Sequence, residues 1–137
     1  MQITYTLKVY PNGLGKSVYR ILKISGSETL DELCRIILDS FDFDDDHLYE
    51  FCMDNKKYST NSYQVKPEWG HKSTKTTIGK LGLWENQKFL LHYDFGDDWM
   101  FTIVVQNIAE DSGKTEPYLV KSKGSVLQYL DWDNGWE

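Results

Sequence analysis

Thr29-Leu30-Asp31-Glu32-Leu33-Cys34-Arg35-Ile36-Ile37-Leu38-Asp39-Ser40-Phe41 is the stretch that decides the fold class. Thr29 and Glu32 stand at T-x-x-E spacing, which lets each side chain satisfy an orphan backbone N–H at a helix start. Behind them Leu30, Leu33, Cys34, Ile37, Leu38 and Phe41 recur at three- and four-residue intervals. That spacing places one apolar stripe along a single helical face. Burying six such side chains contributes on the order of 10 kcal/mol before entropy is subtracted. The pattern predicts one amphipathic helix over residues 30–41, packed on a sheet.

Outward from this helix the periodicity changes from 3.6 to 2. Ile3, Tyr5, Leu7 and Val9 alternate with Thr4, Thr6, Lys8 and Tyr10, and Val18 to Ile24 alternates likewise. With Pro11-Asn12-Gly13-Leu14-Gly15 as turn chemistry between them, these runs predict an N-terminal hairpin. Beyond the helix, strands are expected at Leu48–Met53, Lys88–Asp94 and Trp99–Gln106, and a short one at Tyr118–Val120. Residues 59–76 read as a long loop, Thr77–Leu83 as containing a short helical turn, and Ser125–Leu130 as another. Gly96-Asp97 suits a two-residue type II′ turn, since Gly takes positive φ. The expected architecture is α+β: a mostly antiparallel sheet of about five strands, one helix across one face, and a grasp-like order of elements.

Composition narrows the class further. The 137 residues carry 15 Lys+Arg against 21 Asp+Glu, a formal charge of −6, with 5 Trp, 9 Tyr and 6 Phe. So many rings at moderate charge exclude a disordered chain, and the length predicts a single domain over 1–137. No apolar run reaches the ~18 residues of a membrane span. The opening residues have no basic region followed by an apolar one, so no secretory leader and a cytoplasmic protein are expected. Cys34 and Cys52 are too few for a disulfide framework and are not at metal-ligand spacing. Charge alternates along the chain: acidic at 39–54, basic at 55–92, acidic again at 93–117.

A family resemblance rests on Val18-Tyr19-Arg20-Ile21, the Thr29-Leu30-x-x-Leu33 helix start, Phe41 through Asp46-His47-Leu48-Tyr49-Glu50-Phe51, and Tyr93-Asp94-Phe95-Gly96-Asp97-Asp98-Trp99. In that order these residues resemble the plasmid Ri open-reading-frame-3-like family, whose members carry transposon-passenger or TnpR-like labels. The resemblance spans roughly residues 3 to 130. It implies a small α+β domain and brings no catalytic residues with it. Family members commonly end in a segment with a Glu-Asp pair and Gly-Gly. The stretch here is Gly124-Ser125-Val126-Leu127-Gln128-Tyr129, a departure that weakens an enzymatic reading.

Three functions compete for the remaining residues. The first is a non-enzymatic module that binds a protein or peptide through an aromatic and acidic surface: His47, Tyr93, Asp94, Asp97, Asp98 and Trp99, with Trp132 and Trp136 as interface rings. No cofactor is expected for it. The second is a metal-dependent hydrolase or nuclease. Carboxylate and imidazole are ligands for Mg²⁺, Mn²⁺ or Zn²⁺, and His92, Asp94 and Asp97, with Asp98 and His47, are the candidates. A two-residue turn would set Asp94 opposite Trp99 and on one face with His92. Against this, Gly-Asp and a flanking Asp are ordinary hairpin chemistry. Asp44-Asp45-Asp46 lacks the spacing of a calcium loop and reads as a solvated connector, with His47 a packing residue. The third is nucleic-acid binding, as in a protein of a mobile element, through Lys56, Lys57, Tyr58, Tyr63, Lys66, Trp69, His71, Lys72, Lys75 and Lys80, where rings and lysines interleave. The acidity of the whole chain opposes it. Cys34 and Cys52 read as buried hydrophobes.

Overall fold

The computed structural model describes residues 2–68, 70, 72–111 and 116–129. Eight strands form one sheet: β1 (Gln2–Pro11), β2 (Tyr19–Ser25), β3 (Tyr49–Cys52), β4 (Ser62–Gln64), β5 (Lys72–Ser73), β6 (Lys88–Tyr93), β7 (Trp99–Asp111) and β8 (Tyr118–Lys123). Their order is β5-β4-β3-β6-β7-β1-β2-β8. The expected count of about five is therefore too low. The strands not foreseen, β4 and β5, lie together at one end of the sheet and have three and two residues, too few for a period to register. Among the described residues every pairing is antiparallel except β4–β5. Because β1 runs antiparallel to both β2 and β7, the central parallel pair of a grasp-like order is not what carries the helix. The chain is α+β, and no described helix is long and apolar enough to cross a membrane.

Helix α1 (Leu30–Ser40) covers one face of this sheet and buries Leu30, Leu33, Cys34, Ile37 and Leu38. Beneath it lie Tyr5, Leu7 and Val9 of β1, Leu22 and Ile24 of β2, Phe101, Ile103 and Val105 of β7, and Phe89, Leu91 and Tyr93 of β6. Phe41 lies one residue past the helix and stays in the core, its ring centroid 5.2 Å from that of Phe101.

The helix ends are satisfied by unequal means. Thr29 Oγ1 accepts from the Glu32 N–H at 3.2 Å, but the Glu32 carboxylate turns outward to Arg35 at 2.9 Å, so only half of the reciprocal cap forms. The remaining first-turn donors are taken by a distant segment. Leu30 N–H reaches Thr76 O at 3.1 Å and Asp31 N–H reaches Thr74 O at 3.0 Å. Part of the expected long loop is thus the helix's N-terminal partner. It continues into a 3₁₀ turn at Ile78–Leu81, and Gly79 is pressed there because a Cβ would stand 3.1 Å from Gly26 O.

At the other end Asp42 takes positive φ (59°) and Phe43 N–H reaches back to Leu38 O at 2.9 Å, a left-handed stop. The last turn carries no basic residue. Arg20 of β2 supplies the cation instead, donating from Nε to Ser40 O at 2.8 Å with its guanidinium 4.2 Å from the Phe41 ring centroid. The same guanidinium donates to Lys123 O at 3.0 Å and Gly124 O at 2.9 Å, tying β8 to the helix end. No helical turn forms over residues 125–129, and Leu130, Trp132 and Trp136 lie outside the described residues.

Candidate functional site

The β6–β7 connection holds most of the candidate residues, and it is not a two-residue turn. Tyr93 pairs with Trp99, leaving five residues, 94–98, in the loop. Positive φ falls on Asp94 (62°) and Asp98 (58°), not on Gly96, and Asp98 N–H closes the loop on Asp94 O at 2.6 Å. Aspartate tolerates this conformation better than most side chains do. One consequence is that the two aspartates serve different clusters.

Asp98 joins the cluster on the face of the sheet away from the helix. His92 is fully buried between two carboxylates: Nδ1 lies 2.8 Å from Glu50 Oε2 and Nε2 lies 2.6 Å from Asp98 Oδ1. Glu50 Oε2 also accepts from Tyr58 N–H at 2.9 Å, and Asp98 Oδ2 accepts from Lys57 Nζ at 2.7 Å. The result is a hydrogen-bonded chain, Glu50–His92–Asp98–Lys57. Hydrogen bonds from Lys57 and then His92 hold the Asp98 carboxyl below the usual aspartate range, and Asp98 in return raises Lys57. The rings of Tyr58 and Phe95 cover the imidazole, with centroids 5.1 and 4.9 Å from it. Glu50 and His92 meet because β3 and β6 pair in a register that sets them opposite each other.

Asp94 belongs to a second cluster, around His47. Its carboxylate accepts from Gly96 N–H at 3.2 Å and Asp97 N–H at 3.3 Å, while its other oxygen lies 3.4 Å from His47 Nε2. His47 Nε2 also lies 3.2 Å from Asp46 Oδ1 and 2.9 Å from Tyr129 Oη. The Tyr93 hydroxyl organises the acidic run: it donates to Asp44 O and accepts from Asp46 N–H at 3.0 Å and His47 N–H at 3.3 Å. Burial, the largest influence on it, pushes this phenol up to about 12. Desolvation also raises Asp45, with Asp31 and Asp46 adding to the effect. Trp99 packs on Phe43 at 4.8 Å between ring centroids and donates from Nε1 to Gln128 O at 3.3 Å. Gln128 in turn bonds the Asp44 backbone on both sides, at 2.6 and 3.2 Å. The segment that departs from the family's ending therefore closes over the acidic run.

The structure thus brings His47, Tyr93 and Asp94 together, places Trp99 beneath Gln128, and leaves Asp97 linked to Asp94 only through its backbone. His92 is not joined with Asp94 and Asp97: both of its nitrogens face Glu50 and Asp98. Among the described residues no group of three or more His, Cys, Asp and Glu is arranged to hold a metal ion. Both thiols are buried, and burial pushes Cys52 up to about 12 and Cys34 well above its ordinary range.

The proposed basic segment is dispersed rather than gathered. Lys57 is bound to Asp98, Lys75 lies 3.7 Å from Asp31 beside the helix, and Lys72 rests on the Tyr63 ring. Trp69 and His71 lie outside the described residues.

Sequence reasoning missed Glu50, Phe95, Gln128 and Tyr129 as site residues, and assigned Lys57 and Tyr58 to a nucleic-acid-binding segment instead. A signal existed for one of them: Glu50 interrupts the apolar run Leu48 to Met53, as His92 interrupts Phe89 to Tyr93. Polar breaks in two apolar strands are candidates for a mate.

A small cleft opens beside the His92 cluster. Its volume is about 120 Å³, and Leu48, Tyr58, Val65, Lys66 and Phe95 line it together with Glu50. Leu48, Tyr58 and Phe95 are 48%, 62% and 40% exposed, so its apolar rim is open to solvent.

Comparison with known proteins agrees with this fold. No curated protein matches the chain. A crystal structure of MM3350 from Methanosarcina mazei Go1, a protein of unknown function, superposes with a TM-score of 0.76 at 24% identity, covering 93% of this chain and 72% of that one. At that identity the likeness establishes the fold alone. The model of the plasmid pRiA4b ORF-3-like proteins, a family of uncharacterised function, matches residues 3–128, and the chain belongs to that family.

Proposed function

We propose that the chain is a non-enzymatic binding module whose cleft takes one apolar side chain of a protein or peptide. The observation that carries this is the cleft's size joined to its exposed apolar rim. At about 120 Å³ it falls below the roughly 300 Å³ at which sites for drug-sized ligands begin. It is close to the roughly 150 Å³ that admits a benzene-sized group. An anchor of leucine or phenylalanine size matches it, and such anchors in small pockets carry much of the energy of protein interfaces.

The neighbouring histidine supports binding over catalysis. A general base needs a ring nitrogen within reach of a substrate proton. Both nitrogens of His92 are held by carboxylates, and the ring is buried under Tyr58 and Phe95. The cluster reads as a rigid floor for the cleft.

Titration with N-acetyl-phenylalanine amide and N-acetyl-leucine amide, followed by amide chemical shifts, tests the reading. Saturable changes are expected at Tyr58, Val65 and Phe95, and Phe95→Ala should remove them. Shift changes confined to other regions, or none at millimolar probe, would refute it.

A further inference from the structure

A second property of the open face is independent of the cleft. Lys88 stands opposite Val104, Val104 opposite Lys8, Lys8 opposite Ile21, and Ile21 opposite Lys121. Three lysines and two aliphatic residues therefore form one line across β6, β7, β1, β2 and β8. With strands ~4.8 Å apart, a lysine recurs about every 10 Å along a line about 19 Å long.

Two tyrosines lie in the same surface. The Lys8 ammonium is 4.7 Å from the Tyr19 ring centroid and 5.6 Å from that of Tyr10, and the Lys121 ammonium is 5.8 Å from Tyr19. Lys123 is paired with Tyr19 across the strands and donates to Lys16 O at 2.9 Å. Beside them, Lys8, Tyr10, Leu14, Lys16 and Ser17 line an open cavity of about 380 Å³, within the range of small-ligand sites.

Among the described residues none of Lys8, Lys16, Lys88, Lys121 and Lys123 forms an ion pair. Glu50 and Asp98, which β3 and the 94–98 loop place on this face, are already bonded to His92 and Lys57. In a chain of net charge −6, these cations stand on one face with no carboxylate paired to them among the described residues.

We propose that this face binds single-stranded nucleic acid, with phosphates along the lysine row and bases against Tyr10 and Tyr19. Charge complementarity selects a polyanion. The choice of an unpaired strand rests on shape. A sheet face with rings offers stacking to exposed bases, whereas duplex recognition uses an element that enters a groove, and α1 lies on the opposite face.

Fluorescence anisotropy of the full chain with labelled dT20 and U20 tests the proposal. If Lys8, Lys88, Lys121 and Lys123 each neutralise a phosphate, affinity should fall about 50-fold between 50 and 200 mM salt, from a slope of about −0.7 per phosphate. Lys88→Gln with Lys121→Gln, both exposed and remote from the core, should halve that slope and weaken binding at least tenfold at 50 mM salt. Lys75→Gln, beside the helix, should change neither. The proposal is overturned by absence of binding to both oligonucleotides at 50 mM salt, by equal losses in the Lys75 variant, or by a duplex binding as tightly as the single strand. Binding to phosphatidylserine vesicles but to neither oligonucleotide would overturn it in favour of a lipid surface.

Discussion

His92 and His47 differ in one respect that governs their roles: how completely the surrounding chain encloses them. His92 has no exposed surface and meets two carboxylates at 2.8 and 2.6 Å. The His47 side chain is 36% exposed, and its carboxylate neighbours stand at 3.2 and 3.4 Å. In the first setting a broken pair strands a charge in a low-dielectric interior; in the second, water replaces whatever is lost. Similar residue types therefore make a structural lock in one place and a surface seal in the other.

The largest expected effect breaks this contrast directly. Glu50→Ala takes one of the two carboxylates from the fully buried His92, leaving Nδ1 without a partner, and should cost about 3–5 kcal/mol, read from urea unfolding with linear extrapolation. His47→Ala should cost no more than about 1 kcal/mol. Equal losses in the two variants would show that enclosure does not separate them.

An intermediate effect is expected at Tyr93, whose ring is in the core while its hydroxyl organises the His47 loop. Tyr93→Phe keeps the ring and leaves the Asp46 and His47 N–H groups and the Asp44 carbonyl without this partner, a loss of about 1–3 kcal/mol. Amide exchange should quicken at Asp46 and His47 but not at Glu50. Uniform quickening would mean that the two clusters are one unit.

The smallest effect concerns acid. Because the Asp98 carboxyl is held below its unfolded value by Lys57 and His92, its contribution is present above that value, about 3.9, and is lost as pH falls through the lower folded one. Asp98→Asn should therefore flatten the fall in urea midpoint below about pH 4. An unchanged acid limb would argue against the Lys57–Asp98–His92 linkage.

How much of this was legible in sequence depends on how local each signal is. The helix stripe from Leu30 to Leu38 and the alternation in β1 and β2 are written in adjacent residues, so periodicity located them. The 94–98 loop was misjudged because Gly96 drew the turn assignment, while Asp94 and Asp98 take the left-handed conformation. The Glu50–His92 pair joins residues 42 apart, and only strand register brings them together. The lysine row is less legible still, since its three members come from β6, β1 and β8. The basic segment that stood out in sequence, residues 55–92, has Lys57 and Lys75 paired with Asp98 and Asp31, acids distant in the chain.

Arg20 carries one more consequence. Its guanidinium holds Ser40 at the end of α1 together with Lys123 and Gly124 at the end of β8. Peeling the outermost strand from the sheet must therefore uncap the helix, and unwinding the helix end must loosen that strand. Edge fraying and helix fraying, separate low-energy openings in most small domains, are here coupled into a single costlier event, which shields the margin of the sheet that carries Lys121.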